Sequence, residues 1–280
     1  MYLVFDIGGT KMRVAAVAHA GKKLGTAVIV PTPKTFAEGM IALRNVGTKA
    51  AGGRPITAVV GGIPGILDSK KRALTAAVNI SDWVGKPLAR ELEKTFNAPV
   101  ALENDAIMGG LGEATFGAGR GADIIAFLAI GTGIGGARFV NGAVDRRASW
   151  GFEPGHQIIV PDGEPCACGG RGHLEAYVSG GAMAKKPRTK SERAEYLALG
   201  LHNTVVHWSP DVVIIGGSAA KTFAMKDITA RLKKSLPFIP VLPPLRRAVL
   251  GDYAGLYGAL QLARHPITKP PCDAVLYHTV

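Results

Sequence analysis

Cysteine is scarce in this 280-residue chain: there are three, two of them standing close together at Cys166 and Cys168. So few build no disulfide framework, and a chain of this length buries a full core without one. A reducing compartment and a metal site fit the count better. Long apolar runs are also missing. The longest uncharged stretch, Ile124 to Ala137, falls short of the roughly 20 residues a spanning helix needs and is interrupted by glycines. Before Asp6 there is one apolar segment with no basic region or cleavage-like site, so no signal peptide is expected and the expected location is cytoplasmic. Lys and Arg exceed Asp and Glu by twelve, but the charges are dispersed. Only Lys185 to Arg193 forms a basic cluster, and it reads as a solvated linker or exposed helix start. With neither zinc-finger spacing nor an aromatic-basic RNA-binding signature, nucleic acid and membrane are not expected partners.

Glycine is abundant instead: 37 residues, about 13% against an average near 7%. It clusters at segment ends, where backbone approaches something closely. One glycine-rich hairpin is Asp6-Ile7-Gly8-Gly9-Thr10-Lys11, and a second is Gly131-Thr132-Gly133-Ile134-Gly135-Gly136. Between them a short strand, Pro99 to Leu102, breaks into Glu103-Asn104-Asp105 and then a helical pattern. Asn and Asp there serve equally as helix N-caps or as groups presented for chemistry. Gly131, Gly133 and Gly136 fit G-x-G-x-x-G, but a dinucleotide-binding loop opens a helix, whereas Arg138 to Gly142 continues as a β-hairpin. No Walker A pattern occurs. What remains is a pair of hairpins whose N–H groups and Thr10 or Thr132 hydroxyls can reach phosphate oxygens. A third turn, Gly216-Gly217, lets a nucleotide base or ribose lie close to backbone.

Hydropathy periodicity predicts strands over Tyr2–Asp6, Met12–Ala18 and Leu24–Val30, a helix over Phe36–Ala51, a strand over Ile56–Gly62 and a helix over Lys86–Phe96. A second series follows: strands Asp123–Ile130 and Ala137–Val140, a turn at Asn141-Gly142, and an irregular segment from Asp145 to Gly172. Helices at His173–Ser179 and Glu192–Trp208, a strand Asp211–Ile215, a helix Ala219–Lys234, a strand Ala248–Gly251 and a helix Tyr253–Arg264 complete it. The two glycine hairpins with their returning strands suggest two similar halves.

The two hairpins, Asn104-Asp105, Glu153-Pro154-Gly155-His156, Cys166-Ala167-Cys168-Gly169, Leu174-Glu175-Ala176-Tyr177 and Val212 to Gly217 together resemble the ROK family of bacterial sugar kinases and repressors. The blocks occur in the family's order and cover most of the chain. The resemblance implies an actin-like, ribonuclease-H-like α/β fold of two lobes: a small one over 1–114, to which 257–280 returns, and a large one over 115–256. It implies an ATP- and Mg²⁺-dependent hexose kinase of the glucokinase type, with fructose or N-acetylhexosamines as alternative substrates, and assembly as a homodimer. Asp105 would accept the proton of the attacking hydroxyl. Asn79, Asn104, Glu153, His156 and Glu175 would face the sugar. Asp6, Gly8, Gly9, Thr10, Lys11, Gly131, Thr132, Gly133, Gly216 and Gly217 would line the nucleotide and its phosphates, with Asp6 organising Mg²⁺ through water. A sugar-responsive regulator of the same family carries a helix-turn-helix ahead of the first hairpin, and here Asp6 comes almost at once.

His156, Cys166, Cys168 and His173 together make a Cys₂His₂ set, and four such ligands without an open position mean a structural zinc. The family pattern has a third cysteine where this chain has His173. Such a site would anchor the segment bearing Glu153 and Glu175. Two further departures stand out. Phe152 replaces the glycine usual before the glutamate, and the stretch between Ser179 and Asp211 is short for the family.

Overall fold

The computed structural model describes residues 1–19, 21, 24–145 and 152–265. Cys272, the rest of the tail and the 146–151 part of the irregular segment lie outside the described residues. The chain divides into two compact units, the first built from Met1–Asp105 with the last turns of the C-terminal helix, the second from Ala106–Val144 and Phe152–Gly258.

The first unit contains β1 (Tyr2–Ile7), β2 (Lys11–Val17), β3 (Val28–Pro31), α1 (Phe36–Ala51), β4 (Ala58–Ile63), β5 (Ile66–Leu67), β6 (Leu74–Ala76), α2 (Leu88–Phe96) and β7 (Val100–Asn104). Its main sheet has the order β3-β2-β1-β4-β7. β2 runs antiparallel to β1 and β3, whereas β4 is parallel to β1 and β7. Leu3, Phe5 and Ile7 alternate along β1 and pack with Leu43 of α1 and Leu88 and Leu92 of α2, as period-two side chains on one face require. Thr35 caps α1 by accepting from the Glu38 N–H, and Gly52 ends it at φ 57. Gly39 inside α1 is there for packing: a Cβ would sit 2.0 Å from the buried Trp83 ring.

In the second unit α3 (Asp105–Phe116, its first residue still in the first unit) is followed by β8 (Ile124–Ile130), β9 (Ile134–Val140), β10 (Ala143–Val144), α4 (Glu175–Val178), α5 (Gly180–Lys185), α6 (Lys190–Trp208), β11 (Val212–Gly216), α7 (Met225–Ser235), β12 (Leu245–Arg247) and the start of α8 (Ala254–Arg264), whose residues from Ala259 on belong to the first unit. The sheet order is β10-β9-β8-β11-β12. β9 is antiparallel to β8 and β10, and β11 is parallel to β8 and β12. The two sheets therefore match strand for strand, which is the structural form of the repeat read in the sequence. Among the described residues no helix is long and apolar enough to cross a membrane.

Several boundaries differ from expectation. The helix expected over Ala219–Lys234 is a 3-10 turn, Ala219–Thr222, then extended backbone at Phe223 and Ala224, then α7. The break buries Phe223, whose ring lies 4.5 Å under the Arg193 guanidinium. The strand expected at Ala248–Gly251 lies earlier, at Leu245–Arg247, because Gly251 at φ 55 already starts a turn. The third strand begins at Val28 rather than Leu24. The β5–β6 hairpin and α5 were not anticipated.

Candidate active site

β1, β4 and β7 are parallel and in register, with Asp6 opposite Gly62 and Gly62 opposite Glu103. Their carboxyl ends emerge along one edge of the sheet, the edge at which open α/β sheets bind ligands. From β1 comes the first glycine turn. Gly8 N–H donates to Lys11 O at 2.9 Å, and Thr32 fixes the turn from the side: its hydroxyl donates to Gly8 O at 2.7 Å and its N–H to Thr10 O at 3.0 Å. Thr10 and Lys11 are exposed. The Asn79 side chain lies against Gly9, where a Cβ would come 2.8 Å from Nδ2. Asp6 stands across the hairpin from Arg13, 3.7 Å from its Nη1.

From β4 comes the loop through Gly65, and from β7 come Asn104 and Asp105. Asn104 Nδ2 donates to Gly65 O at 3.1 Å. Asp105 is the first residue of α3, so the flanking cap position falls to Asn104, and the carboxylate sits where a helix dipole favours negative charge.

In the second unit the parallel strands β8 and β11 likewise end together, with Ala129 opposite Gly216. The turn Gly131-Thr132-Gly133 and the turn Gly216-Gly217 thus leave the same sheet edge. Gly217 is at φ 89, and a Cβ there would meet Ile130 O at 2.3 Å. The start of α5 holds the first of these turns: Gly180 N–H donates to Gly131 O at 2.7 Å and Gly181 N–H to Thr132 O at 2.9 Å. Glu175 Oε2 accepts from Ile134 N–H at 2.7 Å, and a Cβ on Gly133 would lie 2.6 Å from that oxygen. The turn Pro154–His156 packs on the other side of Ile134, whose carbonyl oxygen leaves no room for a side chain at Gly155. Ile134 therefore brings the Glu153–His156 block and Glu175 to one strand end.

His156, Cys166, Cys168 and His173 converge: their ligand atoms all lie within 4.8 Å of one another. Cys168 Sγ is 3.2 Å from His173 Nδ1, and Cys166 Sγ is 3.9 Å from His156 Nδ1. A tight turn presents the sulfurs, with Cys166 N–H donating to Gly170 O and Gly169 at φ 94. Burial pushes the Cys166 thiol up to about 11. Two thiols and two imidazoles on one irregular segment fit a tetrahedral zinc.

The ROK family model matches residues 2–196. This chain belongs to the ROK family. A glucokinase of Streptomyces coelicolor is 31% identical, covering 93% of this chain and 96% of its own. An N-acetyl-D-glucosamine kinase of Shigella boydii is 30% identical, covering 92% and 98%. Among solved structures, the ROK hexokinase from Thermus thermophilus superposes with a TM-score of 0.82 at 32% identity, covering 92% of this chain and 96% of that one. The Streptomyces griseus ROK glucokinase in complex with glucose and AMPPNP gives 0.79 at 29%, covering 94% and 99%. The fold of this ROK chain is the actin-like ATPase fold of two lobes.

The Phe152 departure has a structural counterpart. Its ring packs 4.8 Å from Trp208, and both line a cleft of about 260 Å³ beside Glu153, Gln157, Asn203 and His207. Sequence reasoning did not single out Thr32, Arg13 or Lys71, and gave Glu103 no role beyond its place in the Glu103-Asn104-Asp105 break. Arg13 carried a readable signal, since a charged residue inside an apolar strand opposite Asp6 has to be paired. Thr32 carried none.

Proposed function

We propose that this ATP-dependent sugar kinase acts on glucose, transferring the γ-phosphoryl group of ATP to form glucose 6-phosphate. The observation that carries the reading is the meeting, at one strand end, of the second glycine turn, Glu175 and the Glu153–His156 block. It is supported by glucokinase relatives that align over nearly the whole chain.

In this reading Asp105 accepts the proton of the attacking hydroxyl, and Asn104 orients a neighbouring one. Asn79, Glu153, His156 and Glu175 contact the remaining sugar hydroxyls. A positioned base typically contributes about 10²–10⁴-fold. The turns at Gly8-Gly9-Thr10-Lys11 and Gly131-Thr132-Gly133 receive the phosphates, and Gly216-Gly217 lies under the nucleoside. Mg²⁺, when bound, neutralises phosphate charge, and Asp6 is placed to organise its water shell. His156, Cys166, Cys168 and His173 hold a structural zinc. Phosphoryl transfer depends mainly on positioning and charge neutralisation, which such a set supplies.

N-acetyl-D-glucosamine is a second reading, supported by relatives at 30% identity. A coupled assay with ATP, Mg²⁺ and a panel of glucose, fructose, mannose and N-acetylhexosamines tests both. Glucose should give the highest kcat/KM; a higher value for an N-acetylhexosamine selects the second reading.

A further inference from the structure

Glu103 is the next-to-last residue of β7 and is 1% exposed, where an ionised carboxylate is costly unless paired and hydrogen-bonded. Its Oε2 accepts from Lys71 Nζ at 2.6 Å, and its Oε1 accepts from the backbone N–H of Asn104 at 2.9 Å. Burial pushes the carboxyl up to about 8, with the Asn104 N–H hydrogen bond acting in the opposite direction. With the Lys71 ammonium on one oxygen and an N–H on the other, both oxygens accept, the pattern of a carboxylate.

Lys71 reaches Glu103 from constrained backbone. It is at φ 53, a conformation that residues other than glycine adopt when their surroundings impose it. The surroundings here are a loop organised by Asp68: Lys71 N–H donates to Asp68 O at 2.9 Å, and Arg72 N–H donates to Asp68 Oδ1 at 2.7 Å. Arg72 then grips Glu93 of α2 with both terminal nitrogens, at 2.7 and 2.5 Å. At its other end, the same chain segment gives Gly65 O to Asn104 Nδ2. The segment spanning β5 and β6 thus holds Glu103 and Asn104 by two separate contacts, directly before Asp105.

We propose that Lys71 and Glu103 are a positioning pair: they fix the Glu103–Asn104 peptide so that Asn104 and Asp105 leave β7 in the orientation that phosphoryl transfer requires. The inference rests on the reading of Asp105 as proton acceptor. A pair that merely supports the fold would behave differently, because replacing a buried ion pair with apolar residues of similar volume is often neutral for stability.

The test is the Glu103→Met, Lys71→Met double variant. Its thermal midpoint should stay within about 4 °C of the parent. Its kcat on the best sugar should fall about ten- to a hundredfold, the scale of a small misplacement of a reacting group, with the KM for ATP unchanged. Parental kcat in the folded double variant overturns the proposal. If that variant does not fold, Glu103→Gln decides: it keeps an acceptor for Asn104 but loses the charge that holds Lys71, so kcat should drop, and parental kcat overturns the idea. If the parent phosphorylates no sugar, it is the kinase reading that fails. Crystal structures then judge the pair: a shift of about 1 Å at Asn104–Asp105 with loss of the Gly65 contact supports it, and an unmoved backbone overturns it.

Discussion

Glu175 joins two features of the second unit: one carboxylate oxygen accepts the Ile134 N–H at 2.7 Å, and the other lies 3.9 Å from Cys166 Sγ. Cys166 and the glycine turn are thus separated by a single side chain. If the proposed zinc is bound, its loss should reach the proposed sugar contacts through Glu175.

Protein purified without added metal should contain about one zinc per chain, as a filled four-ligand shell requires. Elemental analysis checks this. Cys168→Ser should lower the metal content and raise the sugar KM together, since metal binding and local folding are linked. Zinc-free protein with full activity would remove the metal from the account.

Glu153→Gln should raise the sugar KM roughly ten- to a hundredfold, the scale of a charge-assisted hydrogen bond worth about 1.5–3 kcal/mol. The KM for ATP should hardly change. Equal weakening of both substrates would mean that the substitution had disturbed the fold, and the assignment of Glu153 to the sugar would fail.

Asp105→Asn separates chemistry from structure. As a negative charge in the first turn of α3, Asp105 contributes about 0.3–1 kcal/mol to the helix, so a structural role predicts a small loss of stability and near-parental turnover. A proton acceptor predicts a kcat lower by at least about 10²-fold. Steady-state kinetics with the best sugar, beside a thermal melt, distinguish the two.

The Arg72 pair holds the Glu93 carboxyl below its ordinary range, chiefly by hydrogen bonding. A depressed folded pKa stabilises above the unfolded value, near 4.3, and that contribution is lost as pH falls through the folded value. Both side chains are about a third exposed or more, so the effect should be under about 1 kcal/mol. Glu93→Gln should flatten the acid side of the stability curve by that amount; an unchanged acid limb would show that the pair contributes nothing.

The glycine hairpins and the grouping of His156, Cys166, Cys168 and His173 were legible in the sequence because turn chemistry and ligand type are local properties. The strand-for-strand match of the sheets was legible for the same reason, through two hairpins of similar pattern. Lys71 and Glu103 were not. They are 32 residues apart, and an acid inside a strand looks the same whether it faces solvent or an ammonium. Nor could composition foretell the break at Phe223, which follows from burial of that ring beneath Arg193, or the short β5–β6 hairpin, whose strands are too brief to show a period.

The contact of Gly155 with Ile134 O divides the neighbourhood for anyone wishing to redesign sugar preference. Phe152, with its ring on Trp208 in an open cleft, can be exchanged for smaller or more polar residues without disturbing β9. Gly155 offers no such freedom: any side chain there would lift the turn from the strand and carry Glu153 and His156 with it, so in the proposed reading sugar contact and zinc ligand would be displaced in a single step.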